Sequence, residues 1–243
     1  MLVSAAVCPS PPLLVPAVAA GAAPELDAAR AACAEALGVL AAARPDRLVV
    51  VGTAEGPGQG EYPEGATGSF RGFGVAADVV LGARAASGPS EPGAGGGELP
   101  VSLAVGAWLL ERVRWAAAPV SGLGVAETLG TEGCVTAGRE IAATSDRVAL
   151  LVMGDASACR TVKAPGYLDE RAAGFDAEAA RVLAAADVPG LLALDAGLAR
   201  ELRAAGRAPW QVLAGAAGGA GLAGELLYED APYGVGYLVA VWS

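Results

Sequence analysis

The chain has 243 residues, 54% hydrophobic and 17% charged, a balance that excludes disorder as a description of the whole and suits one large α/β domain. Asp and Glu outnumber Lys and Arg by 26 to 16, and the resulting net charge of −10 repels nucleic-acid phosphates and anionic membrane surfaces. There is no histidine, which removes imidazole bases, Ser-His-Asp and Cys-His hydrolysis, and every His-ligated metal centre from what this chain can do alone.

Residues 2–8 form an apolar run without polar alternation, the pattern of a strand buried on both faces. Four prolines between Pro9 and Pro16 then fix a loop. This opening lacks a basic segment before Arg30, so it reads as strand and loop rather than as a secretion signal. Residues 24–43 carry helical spacing, with Leu26, Ala29, Cys33, Leu37 and Leu40 on one face and Asp27, Arg30 and Glu35 off it. Pro24 suits the first turn of that helix. The run 47–52 is a second buried strand, so strand, helix and strand make a βαβ unit.

Residues 53–74 are rich in Gly, Pro and Glu and show no period, and 75–81 suits a strand. The Gly/Pro/Ser-rich stretch 82–98 reads as a flexible insertion. Helices are expected over 100–113, 132–143, 170–186, 190–205 and 209–217, with strands over 119–125 and 147–153. Two closing strands, 225–228 and 234–242, are joined through Glu229 to Tyr233. The fold class expected is a single three-layer α/β domain, a mostly parallel central sheet flanked by helices.

The four cysteines, Cys8, Cys33, Cys134 and Cys159, include no C-x-x-C pair and read as reduced, buried thiols of a cytoplasmic protein. No stretch is long and unbroken enough to suggest a membrane span. Ala-rich helices with little charge are compatible with a homo- or hetero-oligomer.

Ligands in open α/β sheets gather beyond the carboxyl ends of the strands, and four loops qualify. They hold Ser10 after the first strand, Glu55 after the second, the run from Gly154 to Arg160 after the 147–153 strand, and Glu229 near the C-terminal hairpin. Asp155, Ser157 and Lys163 are the catalytic candidates, the last as the chain's single lysine. Ser10 and Arg160 are candidates for holding a small-molecule ligand, and Glu55 and Glu229 for holding a metal if one binds. Glu55, Asp155 and Glu229 with Cys8 or Cys159 could alternatively serve a hydrolase or oxidoreductase with substitute ligands.

Taken together, CPSPPLLVP, PDRLVVVG, MGDASACRTVKAPGYLDERAAGFDAE, RAPWQVLAGAA and LLYEDAPYGVGYLVAVW resemble the class III extradiol ring-cleavage dioxygenase B-subunit-like family, the superfamily that includes LigB-like and Memo proteins. The resemblance implies an α/β fold and, in active members, Fe(II) held by two histidines and a glutamate, with a further histidine as acid/base. Carried onto this chain, Ser10 stands at the first iron-binding histidine, Glu55 near the second and Glu229 near the glutamate, while the stretch from Asp155 to Cys159 corresponds to the acid/base loop. The expectation is therefore a family member without ring-cleavage activity, with no resident cofactor, acting as a binding or partner protein.

Overall fold

The structure is a computed structural model that describes residues 1–83 and 97–243. Its centre is a seven-stranded sheet in the order β3-β6-β2-β7-β1-β9-β8. The strands are β1 (Leu2–Cys8), β2 (Arg47–Thr53), β3 (Gly60–Tyr62), β6 (Val120–Val125), β7 (Val148–Met153), β8 (Gly224–Asp230) and β9 (Tyr237–Trp242). Strands β1, β7, β2 and β6 are parallel; β3 joins one edge antiparallel, and β9 and β8 extend the other as an antiparallel pair. A separate two-stranded ribbon pairs β4 (Thr67–Ser69) with β5 (Asp78–Val80). The three-layer α/β arrangement expected from the sequence is the one observed.

Alternate residues of the central strands build two cores. Val49, Val51, Val148, Leu150 and Val152 face one side, packed under α4 (Thr131–Ala142), α5 (Ala172–Ala184) and α8 (Arg207–Ala216). Leu48, Val50, Ala149, Leu151 and Met153 face the other, under α2 (Asp27–Ala42) and α3 (Val101–Arg112). Each buried Val or Leu contributes about 1.5–3 kcal/mol, so burial on both faces explains why these strands show no polar alternation. Helices α4 and α8 cross closely because Gly138 and Gly215 lack side chains. A Cβ on Gly138 would strike the Val212 carbonyl oxygen, and one on Gly215 would meet the Val135 backbone.

Several elements differ from expectation. The first βαβ unit is not a pair of neighbouring strands, because β7 lies between β1 and β2. Pro24 falls within a 3-10 segment, Ala20–Leu26, that precedes α2, after a four-residue α1 (Pro16–Ala19). Arg30, expected off the core face, is 4% exposed; its guanidinium reaches back to the carbonyls of Leu14 and Ala23 and to Asp27. The single helix expected over 190–205 is two, α6 (Val188–Ala193) and α7 (Ala196–Glu201). Asp187 and Asp195 each accept a first-turn amide, from Gly190 at 2.9 Å and Leu198 at 2.6 Å, and so restart the chain as a new helix. Strands β3 and β4 escaped notice because three Gly-rich residues carry no period. Most of the insertion expected over 82–98 lies outside the described residues.

Candidate functional site

Strand register gathers the candidate loops at one edge. Cys8 of β1 and Gly52 of β2 both pair with Met153 of β7, so the loops that follow these strands start at the same level. Strand β8 runs parallel to β1, since both are antiparallel to β9, and its Asp230 end therefore reaches that edge too. Glu229 is not in a connecting loop, as expected, but within β8, which runs two residues further than its apolar pattern suggests.

At the centre of this edge the amide of Gly154 donates to the Cys8 carbonyl, and the amide of Ser10 donates to Asp155 Oδ1 at 2.7 Å. Asp155 thus joins the loops after β1 and β7 rather than capping its own turn. Desolvation pushes its carboxyl up to about 7, and the Ser10 amide only partly opposes this. The second carboxyl oxygen makes no hydrogen bond among the described residues. Ala156 donates to the Gly236 carbonyl at 2.8 Å, which sets the next residue, Tyr237, beside Asp155. Burial and then the Asp155 charge push the Tyr237 phenol well above its ordinary value, so it stays a neutral hydroxyl.

The same loop continues along the C-terminal hairpin. Gly236 donates to the Ser157 carbonyl at 2.8 Å and Arg160 to the Gly234 carbonyl at 3.0 Å. Beneath it lies Asp176 of α5, 1% exposed, which accepts the Ser157 amide at 2.8 Å and the Ser157 hydroxyl at 2.9 Å. Arg160 Nη1 completes the group at 2.9 Å from Asp176 Oδ2. Ser157 is fully buried and its hydroxyl is spent on Asp176; it orients this carboxylate and presents no nucleophile to the cleft. Outward from the group is a cavity of about 400 Å³ lined by Arg160, Thr161, Glu229, Asp230 and Ala231.

The remaining candidates are dispersed. Glu55 is exposed, and its carbonyl accepts the Gly58 amide to open a short 3-10 turn. Lys163 is exposed on the turn after Arg160. Cys8 and Cys159 are free but buried, and so are Cys33 and Cys134. A contact with the Cys33 thiol and burial push Cys8 up, and burial does the same to Cys159, so neither is an activated thiolate. Among the described residues no three His, Cys, Asp or Glu side chains converge as a group able to hold a metal ion. Nor do the donors fit ferrous iron: Ser10 offers a neutral hydroxyl, and Glu55 lies exposed on its own loop. No helix among the described residues is long and apolar enough to cross a membrane.

Neither a known protein family nor a curated protein matches the sequence. The fold does match solved structures, among them that of the uncharacterized protein JW3007 from Escherichia coli K12, 15% identical, with a TM-score of 0.57 over 99% of each chain. The likeness is one of fold.

Sequence reasoning missed Asp176 and Tyr237, the two groups that give the site its internal structure. Asp176 was detectable as a carboxylate placed on the apolar face of α5, among Ala172, Phe175, Ala179 and Ala180. A buried helix face tolerates a charge only when something pairs it, and Arg160 and Ser157 are that pairing. Tyr237, which opens the last buried strand, carries no such signal.

Proposed function

We propose that this chain is a binding protein of the extradiol-dioxygenase-like class that does not perform iron-dependent ring cleavage, and that it takes a small molecule at the carboxyl edge of its sheet. The observation that carries this reading is the Ser10–Asp155 bridge. At the position where the resemblance calls for an iron-binding imidazole, a neutral serine stands, its amide held by a carboxyl that itself titrates near neutrality. Such a pair exchanges hydrogen bonds with a ligand and is a poor seat for Fe(II). Loss of both imidazoles weakens iron by orders of magnitude, since changes even beyond the direct ligands of a metal cost about 10–100-fold.

Protein purified without chelator and reconstituted anaerobically with Fe(II) is expected to retain no stoichiometric iron and to consume no oxygen with catechols. Retained iron together with ring-opening turnover would overturn the reading. One observation favours a second reading, an acid–base enzyme. Asp155 titrates near the operating pH, where a proton donor or acceptor is most effective, and it has one oxygen to spare. In that case Asp155→Asn abolishes turnover of the substrate while leaving its binding intact, whereas in a binding protein the same change alters affinity alone.

A further inference from the structure

Arg160 and Glu229 face the same cavity with opposite charges and do not pair. The guanidinium has its ion pair with Asp176 behind it, and Glu229 makes no ion pair or hydrogen bond among the described residues. The other carboxylate in the lining is engaged, since Asp230 Oδ1 accepts the Ala231 amide at 2.7 Å and Oδ2 accepts the Tyr228 hydroxyl at 3.4 Å. An arginine carries five N–H donors, of which Asp176 takes one here; no other acceptor among the described residues meets the rest. Arg160 is also held in place. Its amide is bound to Gly234, its Nη1 to a carboxylate that is 1% exposed, and that carboxylate to Ser157. A guanidinium fixed from behind with free donors in front is a preorganised seat for a carboxylate.

From this arrangement we infer that the cavity binds a small zwitterion, an α-amino acid or a close analogue, with its carboxylate on Arg160 and its ammonium on Glu229. A simple anion would gain Arg160 but meet Glu229, Asp230 and a chain of net charge −10. A simple amine would gain Glu229 but leave the Arg160 donors unmet. A divalent cation needs about six oxygens, and the cavity offers one uncommitted carboxylate. The volume of about 400 Å³ exceeds what the zwitterionic head alone requires and leaves room for a side chain beside Thr161 and Ala231. This inference rests on the binding-protein reading and names the ligand class it leaves open.

The test uses the full chain and titrates the twenty free L-amino acids one at a time by thermal shift and calorimetry. For the tightest of them, the deamino acid and the decarboxylated amine are then measured, together with the Glu229→Gln protein. At least one amino acid is expected to bind, both analogues to bind at least tenfold more weakly, and Glu229→Gln to weaken the amino acid at least tenfold with the unliganded melting temperature unchanged. Arg160→Lys, which keeps a cation for Asp176, is expected to lose a similar factor. Failure of all twenty to bind, equal binding of the amine, or unchanged affinity in Glu229→Gln would each overturn the inference. Iron content and oxygen uptake, read on the same preparation, report separately on the function proposed above.

Discussion

Two aspartates sit within the same stretch of fold and are treated in opposite ways. Asp176 is sunk into the interior and receives three donors, the Ser157 amide, the Ser157 hydroxyl and Arg160. Asp155, nearer the surface, receives one, the Ser10 amide, and keeps a free oxygen. The first is saturated and holds the loop after β7 against α5. The second carries an unmet desolvation cost, which is what an acid available to a ligand requires. The two carboxylates thus differ in the number of donors each receives, three against one, as well as in depth.

The largest effect that could break this contrast is at Asp176. Asp176→Ala strands a partly buried guanidinium and a buried hydroxyl, and equilibrium denaturation is expected to show a loss of about 3–5 kcal/mol. A loss below 1 kcal/mol would mean that the three contacts do not hold the loop. Next comes the pH dependence of Asp155. Its folded value, about 7, lies above the unfolded value near 4, so the group costs nothing where it is neutral in both states. Its penalty then grows as pH rises from about 4 to about 7, reaching on the order of 3–4 kcal/mol. Asp155→Asn should erase that slope: relative to the unmodified protein it gains stability between pH 4 and pH 8, as read from denaturation midpoints across that range. A flat difference between the two proteins would place Asp155 in water.

Ser157→Ala should cost less, about 1–2 kcal/mol, because the Ser157 amide and Arg160 remain on Asp176. The smallest change is expected at the exposed acids. Glu55→Gln and Glu229→Gln should each shift unliganded stability by no more than about 0.5 kcal/mol. A larger change in either would reveal a partner for a carboxylate that has none among the described residues.

Much of the fold was legible because β1, β2 and β7 are apolar runs whose burial on both faces needs no partner to be recognised. The loop after each strand then followed from the general placement of ligands in α/β sheets, which brought Ser10, Asp155, Ser157 and Arg160 into view. Their roles were less accessible. Whether Ser157 faces the cleft or the interior depends on the rotation of α5, which places Asp176 nineteen residues away beneath it. Glu229 looked like a loop residue because β8 ends on two charged positions, Glu229 and Asp230, held in register by Leu238 and Tyr237 of the neighbouring strand. Arg30 looked like a solvated charge because the carbonyls that bind it belong to irregular segments with no periodic signature.

The alternating amide contacts between 156–160 and 234–236 act as a seam that joins two distant stretches of chain. Walls stitched in this way cannot part without breaking main-chain hydrogen bonds, so a molecule of the proposed class would meet a receptacle whose shape is already set. Selectivity would then come from rigid fit, and the amide hydrogens of Ala156, Arg160 and Gly236 would be among the slowest of any in the loops to trade with solvent deuterium.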